Sequence, residues 1–301
     1  MASRYPGRAD FDIVHVGSAC RDVAPNDPRG WRLGGGVAYA ALATARMGGR
    51  AAALVGADRL AARSTELELL RDAGVTVQVV ALERGPIFEN VETPVGRHQT
   101  CLEPGDPVPV GALPASWAAS ATWLVVPIAG EIRPEWAGAI PSSAHVALGW
   151  QGLLRTLVAG QPVRHRPPER TSLVERADLV GVSRHDLEPG SDVDALLALL
   201  RPGAELLVTE GRAGGLVVVR DDRGHTLQRH YDALEAAEVD PTGAGDVFLA
   251  ALVGAMSAAG RRSAQPEDLR WAAAAGALVV EGFGLPAVPG RASIARRLDP
   301  A

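Results

Sequence analysis

The residues with the clearest chemical meaning are Asp240-Pro-Thr-Gly-Ala-Gly-Asp246, which run straight into an apolar, alanine-rich stretch. Pro241 and Gly243 disfavour a helix up to that point, so a helix is expected to begin near Ala244. The amides of Gly243, Ala244 and Gly245 would then point out of the helix N-terminus. Unpaired N–H groups there, with the positive end of the helix dipole, make an anion site. Glycine lets an oxyanion come close to the backbone, and Asp246 sets a carboxylate beside it. That combination suits removal of a proton from a hydroxyl while a phosphoryl group is stabilised. The same residues also fit an ordinary helix start with an aspartate in its first turn.

A second candidate is the glycine cluster that opens Leu33-Gly-Gly-Gly-Val-Ala-Tyr-Ala-Ala-Leu-Ala-Thr-Ala-Arg-Met-Gly48. It allows either close backbone approach by a ligand or a tight loop into a helix packed by small residues. It does not read as a dinucleotide fingerprint, because no strand is expected to run directly into it.

Composition narrows the chemistry further. The 301 residues include 35 acidic and 30 basic ones, for a net charge of −5. There is no basic block, which argues against nucleic acid as a partner. The sequence has no lysine, so a GxxxxGK[ST] loop, a protein-kinase lysine and a lysine Schiff base are excluded. HExxH and GxSxG are also absent. Cys20 and Cys101 are too far apart for a metal pair and read as packing residues. Residues 1–10 lack the apolar core of a signal peptide, and no apolar run is long enough to span a membrane, so a cytoplasmic location is expected.

These residues need elements to position them. Apolar runs at 11–17, 51–56, 75–81, 122–127, 145–148, 179–182, 205–209 and 215–220 read as strands buried on both faces. Helices are expected at 37–47, 60–72, 193–200, 244–259 and 268–281. Strand alternating with helix predicts an α/β three-layer sandwich around a mostly parallel sheet, in one domain over 1–301. Two polar excursions, near 22–34 and 84–110, could form a small, reduced β lid. The second carries strand-like pieces at 87–93 and 98–102 around a turn at 94–96. A proline- and arginine-rich piece at 161–170 reads as a surface loop.

Taken together, these motifs resemble the PfkB (ribokinase-like) family of sugar and nucleoside kinases, over nearly the whole chain and in the family's order. Gly17-Ser-Ala-Cys-Arg-Asp22 resembles the end of the family's first strand, whose Asp binds substrate hydroxyls. Gly34-Gly35 through Gly48 resembles its GGxxxN…LG signature. Val208-Thr-Glu-Gly211 with Gly214 resembles the turn under the nucleotide, and Asp240–Asp246 resembles DTxGAGD, in which the last Asp is the base. The resemblance implies transfer of phosphate from ATP, with Mg²⁺, to a hydroxyl of a small sugar or polyol. A nucleoside acceptor, or an idle sugar- or nucleotide-binding sensor, is the alternative.

By the same resemblance Asp246, Gly243, Ala244 and Gly245 are catalytic, and Asp22, Gly34, Gly35, Tyr39 and Asp240 face substrate. Asn90, Arg97 and Gln99 could join them from the lid hairpin, and Trp150 or Gln151 could line the pocket. Thr209, Gly211, Gly214 and Thr242 belong to the nucleotide side. Three departures stand out. Tyr39 replaces the family's Asn, Pro241 replaces a Thr, and NxxE, which organises magnesium through water, becomes Ser183-Arg-His-Asp186. Ser183 and Asp186 can still offer oxygens to a hard cation. With only residues 23–33 in the first lid segment, a monomer, or a dimer not built from lid strands, is expected.

Overall fold

The structure is a computed structural model that describes residues 10–93, 96–221 and 223–299, with the backbone alone at 92, 93, 96 and 97. The chain opens with strands β1 (Ile13–Ser18), β2 (Cys20–Val23) and β3 (Trp31–Gly34), then helix α1 (Gly36–Arg46). Next come β4 (Ala51–Ala57), α2 (Thr65–Asp72), β5 (Thr76–Ala81), β6 (Ile87–Thr93) and β7 (Gly96–Glu103). The middle holds β8 (Thr122–Val125), α3 (Trp136–Ala139), β9 (His145–Gly149) and short β10 (Arg155–Thr156), β11 (Gln161–Pro162) and β12 (Arg164–His165). Then follow α4 (Ser172–Arg176), β13 (Leu179–Ser183), α5 (Val193–Leu197), β14 (Glu205–Thr209), β15 (Gly215–Arg220) and β16 (Thr226–Tyr231). Helices α6 (Ala244–Ala258), α7 (Pro266–Val279) and α8 (Arg291–Leu298) close the described chain.

Nine strands form the main sheet in the order β16-β15-β14-β13-β9-β8-β1-β4-β5. Neighbours from β14 to β5 pair in parallel, and β15 and β16 are added antiparallel at one edge. Along β1 the side chains alternate between two apolar layers. Ile13 packs on the face covered by α1, α2, α6, α7 and α8, whereas Val14 and Val16 pack on the face covered by α3, α4 and α5. This is the expected three-layer sandwich, and its buried strands are apolar because helices cover both faces.

A second sheet, in the order β11-β7-β6-β2-β3, forms the lid. It takes more of the chain than the sequence suggests. Residues 23–33, expected to leave too little strand for much of a ladder, supply half of the paired positions of a four-pair antiparallel hairpin, β2 on β3. Pro25 and Pro28 lie in the connection between those strands, so they remove no ladder donor. The 161–170 piece is likewise not all loop, since Gln161 and Pro162 extend the lid edge against Cys101 and Thr100. The expected turn at 94–96 includes Pro94 and Val95, which lie outside the described residues. Strand β3 does run into the glycine cluster, but from the lid rather than from a parallel unit, so the cluster is still not a dinucleotide fingerprint.

One core position works against stability. His15 is fully buried on β1 in register with Ala53 and Leu124, and neither ring nitrogen has a hydrogen-bond partner. Burial pushes its pKa down to about 3. The folded state therefore keeps the ring neutral, while the unfolded chain takes up a proton below pH ~6.5. Stability from this site falls as pH drops from about 6.5 toward 3. His15→Leu is expected to raise Tm, and to raise it more at pH 5 than at pH 8, in paired thermal melts.

Candidate active site

The carboxyl ends of β1, β8, β9, β13 and β14 all point the same way, because these strands are parallel. Segments leaving those ends lie on the side of the sheet where open α/β folds bind ligands, in a crevice outside the strand ends. Helix α6 starts there at Ala244, with Gly243 as its N-cap in the left-handed region at φ 80°. No side chain caps this end. The Ala244 amide leans on Pro241 O at 3.3 Å, and Val247 makes the first intrahelical bond, to Gly243 O. Of the three amides expected to be open, that of Ala244 is therefore engaged, and Gly245 and Asp246 follow it in the first turn. A methyl group added at Gly245 would meet nothing within 4 Å, which leaves its backbone open to an anion.

Three successive glycines make room for the acidic groups. A Cβ at Gly34 would run into the Asp22 carboxylate, and one at Gly36 would come within 2.5 Å of Asp246 Oδ1. Between them Gly35 takes φ 106° as the N-cap of α1 and presses on Ser18 O. Asp22 and Asp246 are thus set against positions two residues apart on one glycine run. Asp246 is half-buried. Desolvation pushes its carboxyl up to about 7, with Arg155 pulling it down and Asp186 pushing it up further.

Tyr39, at the family's Asn position, has a structural explanation. Its ring lies flat on Gly243, where a Cβ would meet Cδ1 and Cε1, so it forms the floor of the α6 turn. It is 2% exposed. Burial first, then the charges of Asp240, Asp22, Cys20 and Asp246, push its phenol well above the ordinary range. Pro241 ends the preceding extended segment, and Asp240 Oδ1 accepts from the Thr242 amide at 3.0 Å.

On the lid side the expected residues come together. Gln99 Nε2 donates to Asn90 Oδ1 at 2.8 Å, and Asn90 Nδ2 donates to Asp22 Oδ1 at 3.4 Å. Asn90 and Gln99 are direct cross-strand partners, which is why their amides meet. Cys20 Sγ donates to the same Asp22 oxygen at 3.6 Å, so this cysteine lines the site as well as packing. Arg21 ties the lid to the body through an ion pair with Asp58 at 2.8 Å. The Arg97 side chain lies outside the described residues.

Thr209 ends β14, and the turn Gly211–Ala213 that follows is closed by Glu210 N donating to Gly214 O at 2.8 Å. Gly214 has φ 85°, and a side chain there would strike the backbone at Tyr231. Tyr231 in turn packs tilted on Phe248 at 5.1 Å, which connects this turn to α6. Ser183 and Asp186 do not form an oxygen cluster. The Ser183 hydroxyl caps the 184–186 turn by accepting from His185 N at 3.2 Å. Asp186 accepts from Gln151 Nε2 at 3.1 Å and lies 3.7 Å from Arg155 Nη2. Among the described residues no group of three or more His, Cys, Asp or Glu could hold a metal ion. The donor set therefore does not fit a magnesium held by protein ligands.

Three residues were not singled out from the sequence as site residues. Gly36 was hidden in its glycine run, and Glu131 is a buried carboxylate that accepts from the amides of Ser18, Ile128 and Ala129 at the ends of β1 and β8. Arg155 is the third, and an arginine directly after Leu153-Leu154 on a buried segment was its available signal.

Residues 167–288 match the sequence profile of the family described as pfkB family carbohydrate kinase. The PfkB resemblance is borne out. By fold the likeness extends over nearly the whole chain, and the fold is that of ribokinases. A pyrophosphate-dependent kinase of the ribokinase family, complexed with a pyrophosphate analogue and myo-inositol, superposes with TM-score 0.71 at 17% identity over 94% of this chain and 99% of that one. The nucleoside kinase of Methanocaldococcus jannaschii gives 0.71 at 16% identity over 98% and 100%. Arabidopsis thaliana ribokinase, complexed with ribose and ATP, gives 0.66 at 20% identity over 96% and 99%. No curated protein matches the sequence. Among the described residues, no helix is long and apolar enough to cross a membrane.

Proposed function

We propose that this chain transfers a phosphoryl group from ATP to a hydroxyl of a small sugar or polyol, with Asp246 as the general base. The observation that supports this reading is the glycine run 34–36, where Gly34 leaves room for the Asp22 carboxylate and Gly36 for that of Asp246 in the first turn of α6. Asp22, steadied by Asn90 and Cys20, accepts hydrogen bonds from acceptor hydroxyls. One of those hydroxyls then lies against Asp246, which takes its proton as the oxygen attacks the terminal phosphorus. The amides of Gly245 and Asp246 receive the developing charge of the phosphoryl oxygens. Any magnesium the reaction uses would arrive on the phosphates of the donor, since among the described residues no group of three or more His, Cys, Asp or Glu could hold it. Closure of the lid sheet over the crevice would exclude water and hold back simple ATP hydrolysis.

The polar chain Gln99–Asn90–Asp22 suits an acceptor with several hydroxyls, and the likeness to a myo-inositol-bound kinase supports a polyol. A thermal-shift panel of sugars, polyols and nucleosides, each with and without MgATP, tests this, because a bound ligand raises apparent stability by mass action. Sugars or polyols are expected to shift Tm, and a shift from nucleosides alone would redirect the reading to a nucleoside kinase. Asp22→Ala is expected to raise the acceptor KM about tenfold or more, while titration of ATP into the variant matches wild type. A large loss of ATP affinity would remove Asp22 from the acceptor side.

A further inference from the structure

We propose that Arg155 is a catalytic cation of this site, binding the oxygens of the phosphoryl group as it passes from donor to acceptor. This rests on the kinase reading above. Arg155 follows the 3₁₀ turn Gln151–Leu154 that leaves β9 and begins β10, so its side chain is aimed from the carboxyl end of a central strand. The side chain is only 10% exposed. A guanidinium has five N–H donors, and those of Arg155 are poorly used. Nη1 reaches Ile128 O at 3.4 Å, Nη2 faces Asp186 at 3.7 Å, and buried Nε has no partner.

A buried donor left unpaired costs about 1–3 kcal/mol, so the unused donors of Arg155 favour a bound anion. Asp186, for its part, already accepts from Gln151 at 3.1 Å. Burial disfavours the charged form of Arg155, and the carboxylates of Asp186, Asp246 and Asp22 act against that effect. A buried cation with unused donors, paired loosely with Asp186 and within electrostatic reach of Asp22 and Asp246, is what an incoming phosphoryl group needs.

In the step, the acceptor oxygen forms a bond to phosphorus and the bond from phosphorus to the bridging oxygen breaks. The electron pair leaves on the product phosphate, and the hydroxyl proton goes to Asp246. Arg155 stays protonated throughout and neutralises charge on the equatorial oxygens, as a bidentate guanidinium can.

The test compares wild type, Arg155→Met, Arg155→Lys and the double variant Arg155→Met/Asp186→Leu, the last removing both buried charges so that none is left uncompensated. With the best acceptor of the panel, Arg155→Met and the double variant are expected to lose at least ~100-fold in kcat, as loss of an anion-hole donor or arginine finger does. Acceptor KM and ADP affinity should stay within about threefold. Tight binding of ADP with fluoroaluminate, a mimic of the transferring group, should disappear, and Arg155→Lys should recover part of kcat. A double variant that folds and keeps kcat within about threefold of wild type, or that still traps fluoroaluminate, overturns the proposal. Failure of the kinase reading would look different. Wild type itself would transfer nothing from ATP or from pyrophosphate, and the proposal for Arg155 would fall with it.

Discussion

Asp246→Asn is expected to lower kcat by about 10²- to 10⁴-fold, the range for removal of a general base, with ATP affinity within a few-fold of wild type. Asparagine keeps the shape and the helix position but cannot accept the hydroxyl proton. The variant also carries a stability signature. The carboxyl is raised to about 7 by desolvation, so the folded state binds its proton more tightly than the unfolded chain does. The unfolded chain ionises at pH ~3.9, and folding therefore becomes less favourable as pH rises from there toward 7. The neutral amide escapes that cost. Asp246→Asn should melt higher than wild type at pH 8 and gain less at pH 4. A variant with a third of wild-type turnover, or one that melts lower at pH 8, would show that Asp246 is not a desolvated base.

Gly36→Ala is expected to be nearly as damaging, by displacement rather than deletion. The new methyl would stand 2.5 Å from Asp246 Oδ1 and 3.1 Å from Val126 Cβ. Val126 is buried in the core, so the carboxylate is the group that gives way. A misplacement of about 1 Å can cost ~100-fold in rate. Alanine in the first turn of α1 would otherwise favour the helix, so the expected pattern is low kcat with Tm retained or raised. Steady-state kinetics beside a thermal melt separate the two effects. A kcat within threefold of wild type would mean that the carboxylate position is not set by this contact.

Much of this architecture is legible in the sequence. Strand 205–209 and strand 215–220 are observed with the expected limits, and α6 begins at Ala244 because Gly243 supplies the left-handed turn before it. The meeting of Asn90 and Gln99 follows from their pairing across the β6–β7 hairpin. The rest depends on tertiary contacts. Prolines at 25 and 28 look like strand breakers until their places in the turn between β2 and β3 are known. Tyr39 looks like a lost substrate contact, yet its ring fills the space that Gly243 leaves. Arg155 is hinted at only by its place after Leu153-Leu154, and it lies far in sequence from Asp186, so its partner is not legible there.

The desolvation of Asp246 also sets a pH dependence. Loss of its proton is required for transfer, so kcat/KM is expected to rise with pH and level off above about 7. The most direct measurement is ³¹P NMR of the wild-type protein at pH 8 with MgATP and the acceptor that gives the largest thermal shift. A phosphomonoester resonance growing in step with ADP, and absent with Asp246→Asn, is the expected result. ADP and inorganic phosphate without any phosphomonoester, or a phosphomonoester formed equally well by Asp246→Asn, would contradict phosphoryl transfer with Asp246 as its base.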